Sequence, residues 1–354
     1  VSTIGRTYFA SVYEIDGETL ELMPEIVTEL PTTSNGGVVV NENGTMTVKY
    51  TILEEAVWED GTPISGDDFA FTVDLLQTPE ADAGFRIDEV YEWITSYEAG
   101  PKTFELTLAE PTALYQQLFR VVLPKLAVEG SNFVEDWNDR MWPSAGPFRF
   151  SSWATGDRIV VERNENYWKK DAETGQQLPY LDSIEFRFLP REEDIINAFK
   201  RREAQIIQPP PDAATIDALT ALEPIGARVD AVSGRTWEHL NFQFGPVLEE
   251  VNAESANSSH AYRRAVAHLV DREAIARVAS PYAEPLTSYV DAFSPTLSQH
   301  AWDRYSHDPV RAEQLISALS NSAGAGPIVA VFSTTNVGDA RVLISEALRP
   351  MFEA

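Results

Sequence analysis

The stretch at residues 57–76, VWEDGTPISGDDFAFTVDLL, constrains the local fold more tightly than any other part of this chain. Asp60-Gly61 is a typical turn pair, and Pro63 stiffens the exit from that turn. Ser65, followed three residues later by Asp68, has the spacing of a helix N-cap with a capping box. The stretch therefore predicts a tight turn that leads directly into a helix.

The apolar pattern in and around this stretch predicts a mixed α/β fold. Phe69, Val73 and Leu76 fall on one face of the predicted helix, as expected for a helix packed on a core. Residues 45–52 instead alternate with a period of two, which is typical of a half-buried strand, and Gly44 before them marks a turn with positive φ. Further strand-like segments lie at 104–108, 146–153, 158–164 and 183–189.

Helix start signals recur in the second half of the chain. Ser259 is a predicted N-cap, and the DRE sequence at 271–273 restarts the helix after it. Asp308 is a second predicted N-cap, with Pro309 at the first helical position, where its missing N–H costs nothing. The last stretch, residues 326–354, predicts a strand, a turn and a helix.

Length, composition and charge exclude several classes of protein. The 354 residues predict two or three domains, and a hydrophobic content of 44% excludes wholesale disorder. No run reaches the roughly 18 apolar residues of a membrane span. The formal net charge of −28 is spread along the chain and repels phosphates, so no nucleic-acid partner is expected. The absence of cysteine excludes disulfides, thiolate metal sites and cysteine nucleophiles.

Motifs for catalysis and metal binding are missing from the sequence. The five histidines form no HExxH or HxH pair, and no G-x-S-x-G elbow or phosphate-binding glycine loop occurs. Carboxylates are abundant, so a hydrolase with a paired acid and base stays an alternative that only geometry tests. The sequence therefore favours a binding protein over an enzyme, and it predicts no cofactor.

One segment, AVSGRTWEHLNFQFG at 231–245, has the pattern of a strand that borders a cleft. Its alternation places Trp237, His239 and Asn241 on one face. Glu238, Leu240 and Phe242 fall on the other face. A mostly polar and aromatic face suits a ligand cleft, and the alternative is an ordinary sheet edge.

Six segments taken together resemble one family, the extracytoplasmic solute-binding proteins that serve ABC transporters for oligopeptides, dipeptides and nickel (solute-binding family 5). Each segment is weak by itself, but all six follow the order and spacing of the family over nearly the whole chain. They are VWEDGTPISGDDFAFTVDLL, SAGPFRFSSWATGDRIVVERNENYWKK, LPYLDSIEFRFLP, HLNFQF, AYRRAVAHLVDREAIARVA and YSHDPVRAEQLISAL.

The resemblance implies an α/β, two-lobed, periplasmic-binding-protein-like fold of type II with an extra inserted subdomain. The first lobe would take residues 1–20 and 144–232, and the inserted subdomain residues 21–143. Residues 233–354 would form the N-terminal part of the second lobe. The family continues past this point, so the resemblance implies a chain truncated in its second lobe: a fragment, a trimmed chain or a variant.

The resemblance also implies candidate ligand-binding residues. Those in the segment that resembles the strand crossing between lobes are Gly234, Arg235, Trp237 and His239. Those in FSTTN, which resembles a second-lobe turn facing the cleft, are Ser333 and Thr334. Arg120 lies in a segment that resembles a ligand-facing loop of the first lobe.

The function implied by the resemblance is that of the substrate-binding component of an ABC importer. It would capture a peptide-like or other small solute between its lobes and deliver it to the permease subunits. It would act as a monomer outside the cytoplasm, in the periplasm or as a lipoprotein on the outer face of the membrane. The alternatives are a sensing or adhesion module of the same fold and, from another class, a secreted hydrolase.

Overall fold

The computed structural model describes most of the chain and divides it into two compact units, Val1–Leu189 and Pro190–Ala354. The described residues are 2–17, 19, 21–78, 89–133, 135–209, 213–230, 237–243, 256–286, 288, 301–323, 332–335 and 339–353. The helices of the first unit are α1 (Ser2–Tyr8), α2 (Gly66–Leu76) and α3 (Lys125–Val128). Those of the second unit are α4 (Glu192–Lys200), α5 (Ala213–Thr220), α6 (His260–Leu269), α7 (Arg272–Ala279), α8 (Pro309–Ala323) and α9 (Asp339–Glu353).

The strands described in the first unit form three antiparallel sheets. The first is a hairpin of β1 (Tyr13–Ile15) and β2 (Leu22–Pro24). The second has the order β3-β4-β6-β5, with β3 (Val38–Val40), β4 (Met46–Thr51), β5 (Ile94–Ala99) and β6 (Thr103–Leu108). The third has the order β7-β8-β9, with β7 (Phe148–Ala154), β8 (Arg158–Arg163) and β9 (Ser183–Arg187). Every strand predicted between residues 45 and 189 is confirmed.

The turn and cap predicted at residues 57–76 are confirmed. Gly61 has a φ of 84°, as a glycine in a tight turn can adopt. The backbone N–H of Ser65 donates to the Asp68 carboxylate at 2.9 Å, which is one half of the capping box. Asp68 also accepts from the backbone N–H of Lys125 at 3.0 Å, so it caps one helix and fixes the start of another.

The predicted apolar face of α2 lies in the main core of the first unit. Phe69 and Val73 are fully buried, and Leu76 packs against the same cluster. The Phe69 ring lies 4.7 Å from that of Phe119 and 5.4 Å from that of Phe104, centroid to centroid. Helix α2 therefore packs on the four-stranded sheet through contacts between aromatic side chains.

The first residues of the chain are held by a segment far along it. The Ser144 hydroxyl donates to the Tyr8 carbonyl at 2.7 Å, and the Gly146 N–H donates to the same carbonyl at 3.1 Å. Tyr8 itself is fully buried, in a small cluster with Phe148 and Val161 of the third sheet. Helix α1 is thereby fixed against β7 and β8.

Side-chain caps start the helices predicted in the second unit. Ser259 accepts from the Tyr262 N–H at 3.3 Å at the start of α6, and Asp271 accepts from the Ala274 N–H at 3.0 Å at the start of α7. Asp308 accepts from the Arg311 N–H at 2.9 Å, with Pro309 as the first residue of α8. The predicted helix at the end of the chain is confirmed as α9, whereas most of the strand predicted before it lies outside the described residues.

The strand predicted around Trp237 is wrong for the part that the structure describes. Residues 237–243 belong to no strand. A strand is defined by a hydrogen-bonded neighbouring strand, and none pairs with these described residues. The segment is instead held by side-chain contacts.

Candidate ligand-binding surface

The candidate ligand-binding residues are distributed over both units. Those that the structure describes in the second unit are Trp237, His239, Ser333 and Thr334, and all four are exposed. Gly234 and Arg235 lie outside the described residues. Arg120 lies in the first unit, where it is exposed.

Arg120 directly follows a residue with a fixed and unusual backbone conformation. Phe119 has a φ of 56°, in the left-handed region, and its side chain is fully buried. The Phe119 N–H donates to the Tyr91 hydroxyl at 2.8 Å. This backbone position is therefore rigid, and Arg120 extends from a well-anchored point of the first unit.

Trp237 and His239 form an aromatic pair at the surface of the second unit. Their ring centroids lie 4.5 Å apart with an angle of 39° between the rings. Trp237 is 36% exposed, so its ring presents a flat apolar area to solvent. The two side chains lie on the same side of the segment, as the alternation predicts.

The opposite side of this segment is anchored to α6. The Phe242 ring lies edge-on to the ring of Tyr262, with 6.5 Å between their centroids. The Asn257 side-chain amide also donates to the Gln243 carbonyl at 2.9 Å. These contacts hold the end of the segment and leave the aromatic pair exposed.

Ser333 and Thr334 belong to a second short segment, residues 332–335, which is anchored to α9. The Phe332 ring meets that of Phe352 at 4.6 Å between centroids, in an edge-to-face arrangement. This contact holds the beginning of the segment, and it places two hydroxyl-bearing side chains at the surface next to the anchor.

Arg341, in the first turn of α9, connects the two segments. Its Nε and Nη2 donate to Oε1 of Glu238 at 3.0 and 2.8 Å, and its Nη1 donates to Oγ1 of Thr335 at 2.5 Å. No sequence pattern marks Arg341 as part of this surface. Its partner Glu238 is 103 positions away, and no local pattern marks a contact over that distance.

The exposed side chains of the second-unit surface offer groups for noncovalent contacts. The indole and imidazole rings offer an aromatic wall, and the hydroxyls of Ser333 and Thr334 both donate and accept hydrogen bonds. Among the residues that the structure describes, no group of three or more histidine or acidic side chains is arranged to hold a metal ion.

The first unit carries a shallow open groove of about 570 Å³ with acidic and basic residues in its lining. Its lining residues are Pro24, Glu25, Val27, Thr28, Leu53, Glu55, Trp168, Lys169 and Lys170. The Lys169 ammonium contacts the carboxylates of both Glu25 and Glu14, and the Tyr167 hydroxyl donates to Glu25 at 3.0 Å. This network joins the β1–β2 hairpin to the segment before β9, so we interpret it as structural.

The Glu25 carboxyl makes stability depend on pH in an unusual direction. Burial raises its pKa above the ordinary value, and the Lys169 charge offsets only part of that rise. A carboxyl with a raised pKa binds more protons in the folded than in the unfolded chain. By linkage, its contribution therefore favours the folded state more as the pH falls from neutrality towards the ordinary carboxyl pKa of about 4.3.

We expect Glu25→Gln, which mimics the protonated carboxyl, to weaken this gain of stability on acidification. The measurement is the urea midpoint of wild type and variant at about pH 7.5 and at about pH 4.5, close to the ordinary carboxyl pKa. Tryptophan fluorescence reports chiefly on the first unit, because only Trp237 and Trp302 of the eight tryptophans lie in the second unit. Equal shifts in the two proteins would contradict the prediction.

Within the described part of the chain, no helix combines the length and the apolar character needed to cross a bilayer.

Sequence comparisons connect the chain to known solute-binding proteins. The family model described as "Bacterial extracellular solute-binding proteins, family 5 Middle" matches residues 22–354. The oligopeptide-binding protein OppA of Mycobacterium tuberculosis is 29% identical over 293 residues, which cover 76% of this chain and 46% of OppA. The chain spans less than half the length of the first curated relatives that it matches.

Solved structures show the same fold. The oligopeptide-binding protein AppA from Bacillus subtilis, in complex with a nonapeptide, matches 99% of this chain and 68% of its own, with a TM-score of 0.66 and 16% identity. The periplasmic EDTA-binding protein EppA matches 90% of this chain and 58% of its own, with a TM-score of 0.66 and 20% identity. These likenesses confirm the predicted periplasmic-binding-protein-like α/β fold. The assignment of the chain to a family rests on the family model that matches residues 22–354. The chain belongs to the bacterial extracellular solute-binding proteins of family 5.

Proposed function

We propose that this chain is part of the substrate-binding component of an ABC importer, which captures a peptide-like or other small solute and delivers it to permease subunits. The observation that carries the proposal is the family match over residues 22–354. Relatives named as oligopeptide-binding proteins, in sequence and in structure, support peptides as the first ligand class to test. The proposal includes the lobe boundaries implied by the resemblance: 1–20 with 144–232, 21–143, and 233–354.

The exposed chemistry of the second unit suits such a ligand. The Trp237–His239 pair offers a flat wall for an apolar side chain, and Ser333 and Thr334 offer hydroxyls for a peptide backbone. Arg235 is proposed to meet a ligand carboxylate, where a guanidinium binds in bidentate fashion. Binding of this kind tolerates varied side chains through water-filled contacts and requires no covalent step.

The proposal extends to the setting in which the protein works. It acts as a monomer outside the cytoplasm, in the periplasm or as a lipoprotein on the outer face of the membrane, and it catalyses no reaction. The acidic surface, with a net charge of −28, favours the approach of cationic and neutral solutes at low salt.

Replacing Trp237 with alanine tests this site. In the protein expressed from its complete gene, we expect Trp237→Ala to weaken peptide binding by about tenfold or more, because aromatic anchors dominate such contacts. The probe is an equimolar library of tri- to pentapeptides, with retained peptides identified and titrated by native mass spectrometry. Arg235→Ala is expected to act in the same direction.

Leu240→Ala is the matched control for this experiment. Leu240 lies in the same segment and is 39% exposed, but the alternation places it on the side away from Trp237. Unchanged affinity in both Trp237→Ala and Arg235→Ala would reject the site assignment. Failure of the wild-type protein to retain any peptide would instead reject peptides as the ligand class.

A further inference from the structure

The guanidinium of Arg341 contacts the residue adjacent to each half of the candidate surface. Glu238, which accepts two of its hydrogen bonds, lies in the sequence between Trp237 and His239. Thr335, which accepts the third, directly follows Ser333 and Thr334. One side chain on α9 thus holds both the aromatic pair and the hydroxyl pair through a neighbouring residue.

Each segment already has one anchor, and Arg341 supplies the other. The 237–243 segment is held at its far end, where Phe242 packs on Tyr262. The 332–335 segment is held at its beginning, where Phe332 packs on Phe352. Arg341 contacts Glu238 in one segment and Thr335 in the other, so the two segments are tied to each other.

We propose that Arg341 is a positioning residue that joins the Trp237–His239 pair and the Ser333–Thr334 pair into one ligand-contacting surface. The role in ligand binding rests on the proposed function, whereas the link between the segments rests on the described contacts. Arginine suits this task because its planar guanidinium donates to two acceptors at once in a fixed geometry, which a lysine ammonium does not reproduce.

Because the contact between Arg341 and Glu238 is exposed, its effect on ligand affinity can be measured separately from its effect on stability. The side chains of Arg341 and Glu238 are 41% and 50% exposed, and ion pairs this open contribute little to stability. Loss of the contact is therefore expected to leave the thermal midpoint nearly unchanged. It should instead loosen the two segments and lower ligand affinity, because a surface that must be ordered on binding loses the advantage of preorganisation.

The test measures the two segments without ligand. In Arg341→Gln, we expect amide hydrogen exchange within residues 238–243 and 332–335 to speed up by about tenfold, which reports more frequent local opening. The indole N–H resonance of Trp237 should shift, with Trp237→Phe used to assign it. Arg341→Lys should show an intermediate effect. Arg349→Gln, on an exposed arginine of the same helix, is the matched control and should change neither readout.

A double-mutant cycle shows whether Arg341 acts through Glu238. If it does, Glu238→Gln alone should speed up amide hydrogen exchange in residues 332–335. Exchange in the double variant should then be no faster than in Arg341→Gln alone. Unchanged exchange and an unchanged Trp237 resonance in Arg341→Gln would overturn the proposal. Fully additive effects of the Arg341 and Glu238 substitutions on exchange would overturn it as well. Should Arg341→Gln fail to fold, Arg341→Lys and Glu238→Gln carry the same comparison.

Binding of the peptide library, measured on the same variants, separates this inference from the proposed function. Weaker binding by about tenfold in Arg341→Gln, at an unchanged thermal midpoint, supports the positioning role. If wild type binds no peptide while exchange still responds to Arg341→Gln, the link between segments stands and peptide capture is rejected. If wild type binds peptides and Arg341→Gln binds them equally well, the positioning role is rejected and the proposed function stands.

Discussion

Replacing Phe69 with alanine is expected to lower the free energy of unfolding of the first unit by about 3–5 kcal/mol, the range for removing a fully buried aromatic ring. The ring is at the centre of the core, with centroids of Phe119 at 4.7 Å, Phe104 at 5.4 Å and Tyr50 at 5.9 Å. Its removal leaves a cavity that the surrounding sheet and helix cannot close. The measurement is urea unfolding followed by tryptophan fluorescence.

Phe188→Ala is the control for this substitution. Phe188 lies in the same unit but is 42% exposed, so its loss should cost less than about 1 kcal/mol. Similar costs for the two substitutions would show that Phe69 is not at the centre of the core. A change in the slope of the unfolding curve would signal a loss of cooperativity between the two units, and the midpoints would then be compared unit by unit.

Replacing Asp68 with alanine is expected to cost about 2–6 kcal/mol, because it leaves two backbone N–H groups without their acceptor at about 1–3 kcal/mol each. These groups belong to Ser65 at 2.9 Å and Lys125 at 3.0 Å. The substitution therefore weakens the start of α2 and the start of α3 together. The same urea titration measures the change.

Asp67→Ala provides the matched control, since Asp67 is the adjacent carboxylate in the same first turn but is exposed. Its loss removes only a favourable interaction with the helix dipole, worth about 0.3–1 kcal/mol. Equal effects of the two alanine substitutions would mean that charge in the first turn, and not the hydrogen bonds of Asp68, stabilises the helix. Burial raises the pKa of Asp68, so the comparison belongs at a fixed neutral pH.

The sequence predicts those parts of the fold whose causes lie within a few residues. The capping box of Ser65 and Asp68 is one example, and the positive φ of Gly44, 87° in the structure, is another. The strands follow from the alternation of apolar residues. The side-by-side placement of Trp237 and His239 was also predictable, because alternation needs only an extended backbone and not a paired strand.

The contacts that escape prediction join residues far apart in the chain. The Asp68 carboxylate accepts a hydrogen bond from the backbone N–H of Lys125, and Lys169 contacts Glu25 at a separation of 144 positions. Arg341 reaches Glu238 over 103 positions. Long-range partners of this kind are set by the packing of whole elements, and a charged residue carries no local mark of its partner. The link within the candidate surface therefore could not be predicted, whereas the side-by-side placement of Trp237 and His239 could.

The long-range contacts of the N-terminal segment also set a time scale for folding during synthesis. The Tyr8 carbonyl is held by Ser144 and Gly146, and Glu25 by Lys169. At roughly 5–20 residues per second, a ribosome needs on the order of 10–30 s to deliver these partners after the first segment emerges. Until then the Tyr8 carbonyl and the Glu25 carboxylate lack these partners. The native contacts of Tyr8 and Glu25 therefore form only once residues 136 and 144 positions further along the chain are available.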